Sequence, residues 1–241
     1  SISIGSMGPR LAIMDRLEMY SPSMSSKKKS ETRRPVACYT PAQLAVLAQI
    51  EADVATQLAV KPRRLAHSMS VASTAESMAL MYGVDPFLAR VAGLLHDWDK
   101  VVPDEELVSR ARALELDFEG ADLEDVKPLL HGCVAACELP ALYPDLPEEV
   151  WHAISVHTTA GYRMSPLDKV LFVADGIEPL RPSSPGIEAT RALVGRAPLD
   201  DVFWNSFVGG IIYVLEGSRH LYEGTIRIYN ALAAERSGSA R

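Results

Sequence analysis

The sequence predicts an all-α fold: one helical domain behind an irregular N-terminal segment. Three observations carry this expectation. Apolar residues recur at helical spacing, Pro and Gly punctuate them, and no convincing run alternates apolar and polar residues as a strand would. Residues 1–39 contain Ser-Pro-Ser-Met-Ser-Ser-Lys-Lys-Lys and Glu-Thr-Arg-Arg-Pro, polar and aperiodic, and read as a flexible basic tail. At Thr40 the pattern changes. Thr40 offers an N-cap, Pro41 a first helical residue and Gln43 the partner of a capping box, so helix is expected from Pro41 to about Val60. Further helices are expected over Pro62–Tyr82, Pro86–His96, Glu105–Leu114, Val126–Cys137, Pro147–His157 and Pro166–Ile177. Ile187–Val194, Leu199–Arg219 and Tyr222–Glu235 complete a domain of residues 40–237 with no internal repeat.

A chain of 241 residues, 48% hydrophobic and 23% charged, has a globular composition. At this size folding buries roughly 70–75% of the chain's surface, so metal ligands are not needed merely to hold a core. Three cysteines make no disulfide framework, which points to a reducing cytoplasm. The apolar run Gly209–Leu215 is far short of the ~20 residues of a membrane span. Residues 1–35 hold seven basic and three acidic residues, and the remaining 206 hold 17 and 28. An acidic body disfavours nucleic-acid backbones, so a polyanionic substrate would need a local focus of positive charge, and a metal site supplies one.

Six histidines are present, and His67, His96, His131 and His157 stand on apolar helical stretches. Leu94-Leu95 precede His96-Asp97, Leu129-Leu130 precede His131, and Val173-Ala174 precede Asp175. At about 100° per residue, Val150, Ala153, Ile154 and His157 share one face and His152 points nearly opposite. A single inward imidazole is ordinarily a hydrogen-bonded core residue. Four of them with two inward carboxylates would each need a separate partner, and convergence on metal is the more economical account. Adjacent His96 and Asp97 reach one ion only where the helix ends or bends. Nitrogen and oxygen donors without Cys suit Fe, Mn or Zn, and two ions with a bridging carboxylate would use all six side chains.

These residues resemble the HD superfamily of metal-dependent phosphohydrolases. The resemblance rests on the words Ala-Gly-Leu-Leu-His96-Asp97-x-x-Lys100, Leu-His131-Gly132, His157-Thr158-Thr159, Met-Ser-Pro-Leu-Asp168-Lys169 and Ala-Asp175-Gly-Ile-Glu178-Pro179. Within it they are similar to the bacterial YqeK-like branch, the symmetrical bis(5'-nucleosyl)-tetraphosphatases, over about Thr40–Leu232. The resemblance implies a single HD-domain helical bundle and two divalent ions, iron first, with manganese, cobalt, zinc and magnesium as alternatives. It implies that His67, His96, Asp97 and Asp175 hold one ion, and His131 and His157 the second with Asp97 bridging. The implied reaction is hydrolysis of diadenosine tetraphosphate to two ADP by a hydroxide held on the ions. Ala160 stands where that branch usually has Gly, and Trp98-Asp99 adds an acid beside the site.

For the chemistry, Lys100 is the leading candidate to bind a phosphate oxygen beside the metals. Arg64 and Arg181 are further substrate-binding candidates, each equally readable as a surface ion pair. Thr158 and Thr159 either donate to phosphate or ribose or cap a helix end. Asp168 lies seven residues before Asp175, a spacing that permits it to orient a ligand imidazole from behind, yet Ser165-Pro-Leu-Asp168 is also a capping box, which is the default reading. His152 and His220 are assigned to the surface. The expected partners are a small nucleotide and no nucleic acid or membrane, and the sequence admits a homodimer. Alternatives are an HD phosphohydrolase of another nucleotide, a nucleotide sensor without catalysis, and an oxygen-activating HD protein.

Overall fold

The computed structural model describes residues 36–238, and of the tail expected over 1–39 only the last four residues fall within them. Those four are irregular, and Tyr39 packs its ring edge-on against Phe87. Ten α-helices follow among the described residues, and no strand. They are α1 (Pro41–Gln57), α2 (Pro62–Tyr82), α3 (Pro86–Leu95), α4 (Asp104–Ala113) and α5 (Lys127–Glu138). Then come α6 (Glu148–Val156), α7 (Pro166–Ile177), α8 (Pro185–Leu193), α9 (Leu199–Glu216) and α10 (Glu223–Gly238).

Local chemistry sets most of the starts. Thr40 and Gln43 form the expected capping box on α1, and Ser165 and Asp168 form another on α7. The Asp85 carboxylate accepts from Phe87 N and Leu88 N at the head of α3, and Ser184 accepts from Ile187 N at α8. Pro stands in the first turn of α1, α2, α3, α5, α7 and α8, where its missing N–H costs nothing.

One main core joins α1, α2, α3, α6, α7 and α9, with Ile50, Val71, Leu94, Leu95, Ile154, Leu171 and Phe207 essentially removed from water. A satellite core gathers Leu107, Val108, Phe118, Leu130 and Tyr222 beneath the 115–126 loop. Helices α2 and α3 pack closely against each other. A Cβ on Gly93 would lie 2.6 Å from Ala72 Cα, so only glycine lets the two backbones meet there. That contact brings the tail of α3 against the middle of α2, and α7 packs on both. The site assembles where these three helices meet α5 and α6.

Candidate metal centre

Each element delivers its residue for a local reason. His67 projects from the second turn of α2, on the face that is buried. Helix α3 stops at Leu95, His96 caps it, and Asp97 (φ −104°, ψ 20°) turns the chain into a single 3-10 turn over Trp98–Val101. The break expected after His96 is thus present, and it lets neighbouring side chains face the same space. His131 stands on the buried face of α5, His157 caps α6, and Asp175 lies in the last turn of α7. As the helical periodicity requires, Val150, Ala153, Ile154 and His157 are buried and His152 is exposed.

The six side chains meet. His67 Nε2 is 3.0 Å from Asp175 Oδ1 and 3.7 Å from Asp97 Oδ2. His96 Nε2 is 3.6 Å from Asp97 Oδ2 and 3.7 Å from Asp175 Oδ1. On the other side, His131 Nε2 lies 3.2 Å from Asp97 Oδ1 and 3.1 Å from His157 Nε2. Asp97 therefore turns one oxygen toward His67 and His96 and the other toward His131 and His157. Two overlapping donor groups result, His67–His96–Asp175 and His96–Asp97–His157, each with its ligand atoms within 4.8 Å of one another.

The outer ring nitrogens set the direction in which each imidazole presents its lone pair. His96 Nδ1 faces Gly93 O at 2.8 Å, His131 Nδ1 faces Pro128 O at 3.2 Å, and His157 Nδ1 faces Ile154 O at 2.6 Å. His67 Nδ1 faces a carboxylate oxygen, Glu178 Oε1, at 2.9 Å. Carbonyls and ionised carboxylates only accept, so every Nδ1 carries a proton and every neutral ring turns the lone pair of Nε2 inward. Acceptors then face acceptors. His67 Nε2 and His96 Nε2 are buried and make no hydrogen bond. Inward lone pairs with one buried and one part-exposed carboxylate are a donor set that fits divalent cations.

Electrostatics agree. Burial, reinforced by His131 and His96, pushes His157 down to about 3, and burial also lowers His131, so both keep their lone pairs at neutral pH. Burial opposes the Asp97 charge, but His96, His131 and His157 in their protonated forms outweigh it, so the carboxyl gives up its proton well below its ordinary range. Asp175 is likewise held low, against burial, by His67, His96 and Arg181. For His67 burial is overcome by Asp175 and Glu178, which raise it, so a proton competes with a cation for that one lone pair.

The HD domain model matches residues 64–180, which contain all six side chains. The symmetrical bis(5'-nucleosyl)-tetraphosphatase of Halalkalibacterium halodurans is 32% identical over 184 residues, 73% of this chain and 94% of that protein. The chain belongs to the HD-domain family. The Staphylococcus aureus protein of the same name is 32% identical over 170 residues, 70% of this chain and 86% of its own length. A crystal structure from Clostridium acetobutylicum, described as a "predicted HD superfamily hydrolase involved in NAD metabolism", superimposes with a TM-score of 0.69. It is 30% identical, and the match covers 78% of this chain and 97% of that one.

Three cations surround the centre of this HD-domain protein. Arg64 Nη1 donates to Asp97 Oδ2 at 2.8 Å, and Arg181 Nη2 donates to Asp175 Oδ1 at 2.6 Å. The ion pairs that Arg64 and Arg181 make are thus with the central carboxylates, at the edge of the site. Lys100 is half-buried in the field of Asp97, Arg64, Asp175 and Arg181, and burial together with the two arginines lowers its ammonium. Thr158 Oγ1 is buried without a hydrogen-bond partner, whereas Thr159 Oγ1 donates to Ala160 O. Asp168 does not reach the centre. Its Oδ2 accepts from Ser165 N at 2.7 Å and faces His152 Nδ1 at 2.9 Å. Seven residues along a helix restore the face but advance about 10 Å, which takes Asp168 to the far end of α7.

Glu178, in the run Asp175-Gly-Ile-Glu178-Pro179, has no role in the sequence reading and is the partner of His67. The signal was its place three residues after Asp175, one helical turn on, with Pro179 ending the helix. Ala160 has φ +60°, a left-handed position that glycine would adopt without strain.

Proposed function

We propose that this HD-domain protein hydrolyses dinucleoside tetraphosphates such as diadenosine tetraphosphate symmetrically, giving two ADP, with two divalent ions in the histidine–aspartate centre. The observation that supports it best is a set of four buried, inward imidazole nitrogens with the buried Asp97 and the part-exposed Asp175 carboxylates, ringed by three cations. The relatives that match most of the chain carry that activity in their names.

In this reading His67, His96, Asp97 and Asp175 hold one ion, and His131 and His157 hold the other with Asp97 shared. Bound there, a pair of divalent ions supplies acidified water and neutralises charge on the reacting phosphoryl oxygens. The N/O donor set suits iron or manganese. Arg64, Lys100 and Arg181 bind the non-bridging oxygens of the polyphosphate, which needs several positive charges on an otherwise acidic protein. Arg64 and Arg181 each retain N–H groups beyond those given to Asp97 and Asp175. Thr158 offers a hydroxyl that no side chain has claimed. The departing group is a nucleoside diphosphate, a weak base whose release needs little protonation, which accords with a rim of cations rather than general acids.

The test is product identification. Protein reconstituted anaerobically with Fe(II) or Mn(II) and given diadenosine tetraphosphate should release ADP alone. AMP with ATP, or no turnover by protein shown to hold metal, would refute the reading.

A further inference from the structure

His67 differs from the other three imidazoles in what stands behind it. His96 and His157 cap the ends of α3 and α6, where the last helical carbonyls lack partners, and each turns Nδ1 to the carbonyl three residues back. His131 does the same with Pro128 O near the start of α5. His67, the sixth residue of the 21-residue α2, instead turns its Nδ1–H to an acceptor from another element. Glu178 Oε1 supplies it at 2.9 Å.

Glu178 is built for that position. It is 1% exposed, a rare location for a carboxylate, and it follows α7 directly. Its second oxygen accepts from Leu180 N at 2.7 Å, and Ser70, one turn beyond His67 on α2, helps to hold its carboxyl below the ordinary range. The main chain is tied as well, since Arg191 of α8 donates to Ile177 O at 2.9 Å and to Glu178 O at 2.8 Å. This carboxylate cannot swing away from His67 without breaking those contacts.

We propose that Glu178 is the positioning residue of His67 and makes the two cation positions unequal. It fixes the Nδ1–H form, aims Nε2 at Asp175 and Asp97, and strengthens that nitrogen as a donor, so the His67–His96–Asp175 position binds its ion more tightly than the position built on carbonyl-backed imidazoles. A carboxylate behind a ligand imidazole is worth about 10–100-fold in metal affinity. The inference rests on the two-ion reading of the centre and not on the substrate.

Titration of the metal-free full chain with Mn(II), followed by electron paramagnetic resonance of the free ion, tests it. The wild-type protein should show two dissociation constants. His67→Ala should raise the smaller and His131→Ala the larger, which assigns them. Glu178→Gln should raise only the smaller, by about 10–100-fold. Equal weakening of both constants, as general loosening of the fold would cause, or no change in either, overturns the proposal. Should Glu178→Gln fail to fold, long-range 15N–1H spectra of the wild-type protein loaded with diamagnetic Zn(II) decide the matter: His67 must carry its proton on Nδ1, and a bare Nδ1 overturns it. Wild-type protein that binds two ions as described yet leaves diadenosine tetraphosphate uncut would refute the proposed activity and leave this inference standing, whereas no binding of Mn(II) at all would overturn both.

Discussion

Replacing Gly132 with Ala places a methyl group against the centre without removing a ligand. Its Cβ would stand 2.8 Å from His157 Cε1, 2.9 Å from His157 Nδ1 and 2.8 Å from Ile154 O, the carbonyl that orients that ring. Carbon atoms settle at about 3.5–4.0 Å, so α5 and α6 must separate or the imidazole must move by about 0.7 Å. Overpacking of this kind costs about 1–3 kcal/mol, and Ala recovers about 1 kcal/mol of helix propensity over Gly. The net loss is about 1 kcal/mol, a drop of about 2–4 °C in Tm for a domain of this size. The effect on metal should exceed the effect on fold, because His157 loses both its place and its hydrogen-bond partner. Circular dichroism melting and Mn(II) uptake should therefore show a small stability loss and a clear weakening of one cation position. Gly209→Ala is the control, since nothing lies within 4 Å of its added Cβ in α9. That variant should melt a few degrees higher and bind metal normally. A Gly132→Ala protein with unchanged Tm and unchanged metal uptake would refute the geometry.

Ala160→Gly relieves a left-handed residue at φ +60°, worth about 1–2 kcal/mol, but removes a buried core methyl worth about 0.8 kcal/mol, so its denaturation midpoint should shift by less than the equivalent of about 1 kcal/mol. Burial raises Asp99 to about 6, with Glu138 adding to it. An acid whose folded pKa exceeds its unfolded one binds extra protons when folded between about pH 4 and 6, so it destabilises the protein above that window. Asp99→Asn should thus raise Tm at pH 8 by the equivalent of up to about 3 kcal/mol, and the gain should shrink to nothing by pH 4; an equal gain at both pH values would contradict this. Stripping metal with a chelator should lower Tm, and Mn(II) at about 100 times its dissociation constant should restore about 2.7 kcal/mol. A melting curve indifferent to metal would argue against a folded-state cation site.

Much of this was legible in the sequence, for reasons that differ by residue. Pro62 and Ser165-Pro166 fix the starts of α2 and α7 because a first-turn proline and a capping box act within a few residues. The end of α1 was not legible: helix was expected to Val60 and stops at Gln57, with neither glycine nor proline at the boundary to mark it. The sequence predicts only a break after His96, not the turn over Trp98–Val101, since a single 3-10 turn leaves no periodic signature. Inward facing of His157 followed from α6 alone. The pairing of Glu178 with His67 did not, because it joins residues 111 positions apart and depends on how α7 crosses α2. The pairing of His152 with Asp168 escaped for the same reason: it joins α6 to α7 across 16 positions, and nothing local announces it.

Helix α1 lies wholly before the residues that define the domain match, yet it touches the chemistry. Gln57 Nε2 donates to Trp98 O at 3.2 Å, and Lys61 Nζ, just past the helix, donates to Lys100 O at 2.6 Å. Two side chains from this leading segment therefore grip the short turn that carries the ammonium. A fragment trimmed to residues 64–180 would keep every proposed ligand and still release that turn, so the working unit of this protein starts a full helix upstream of its signature.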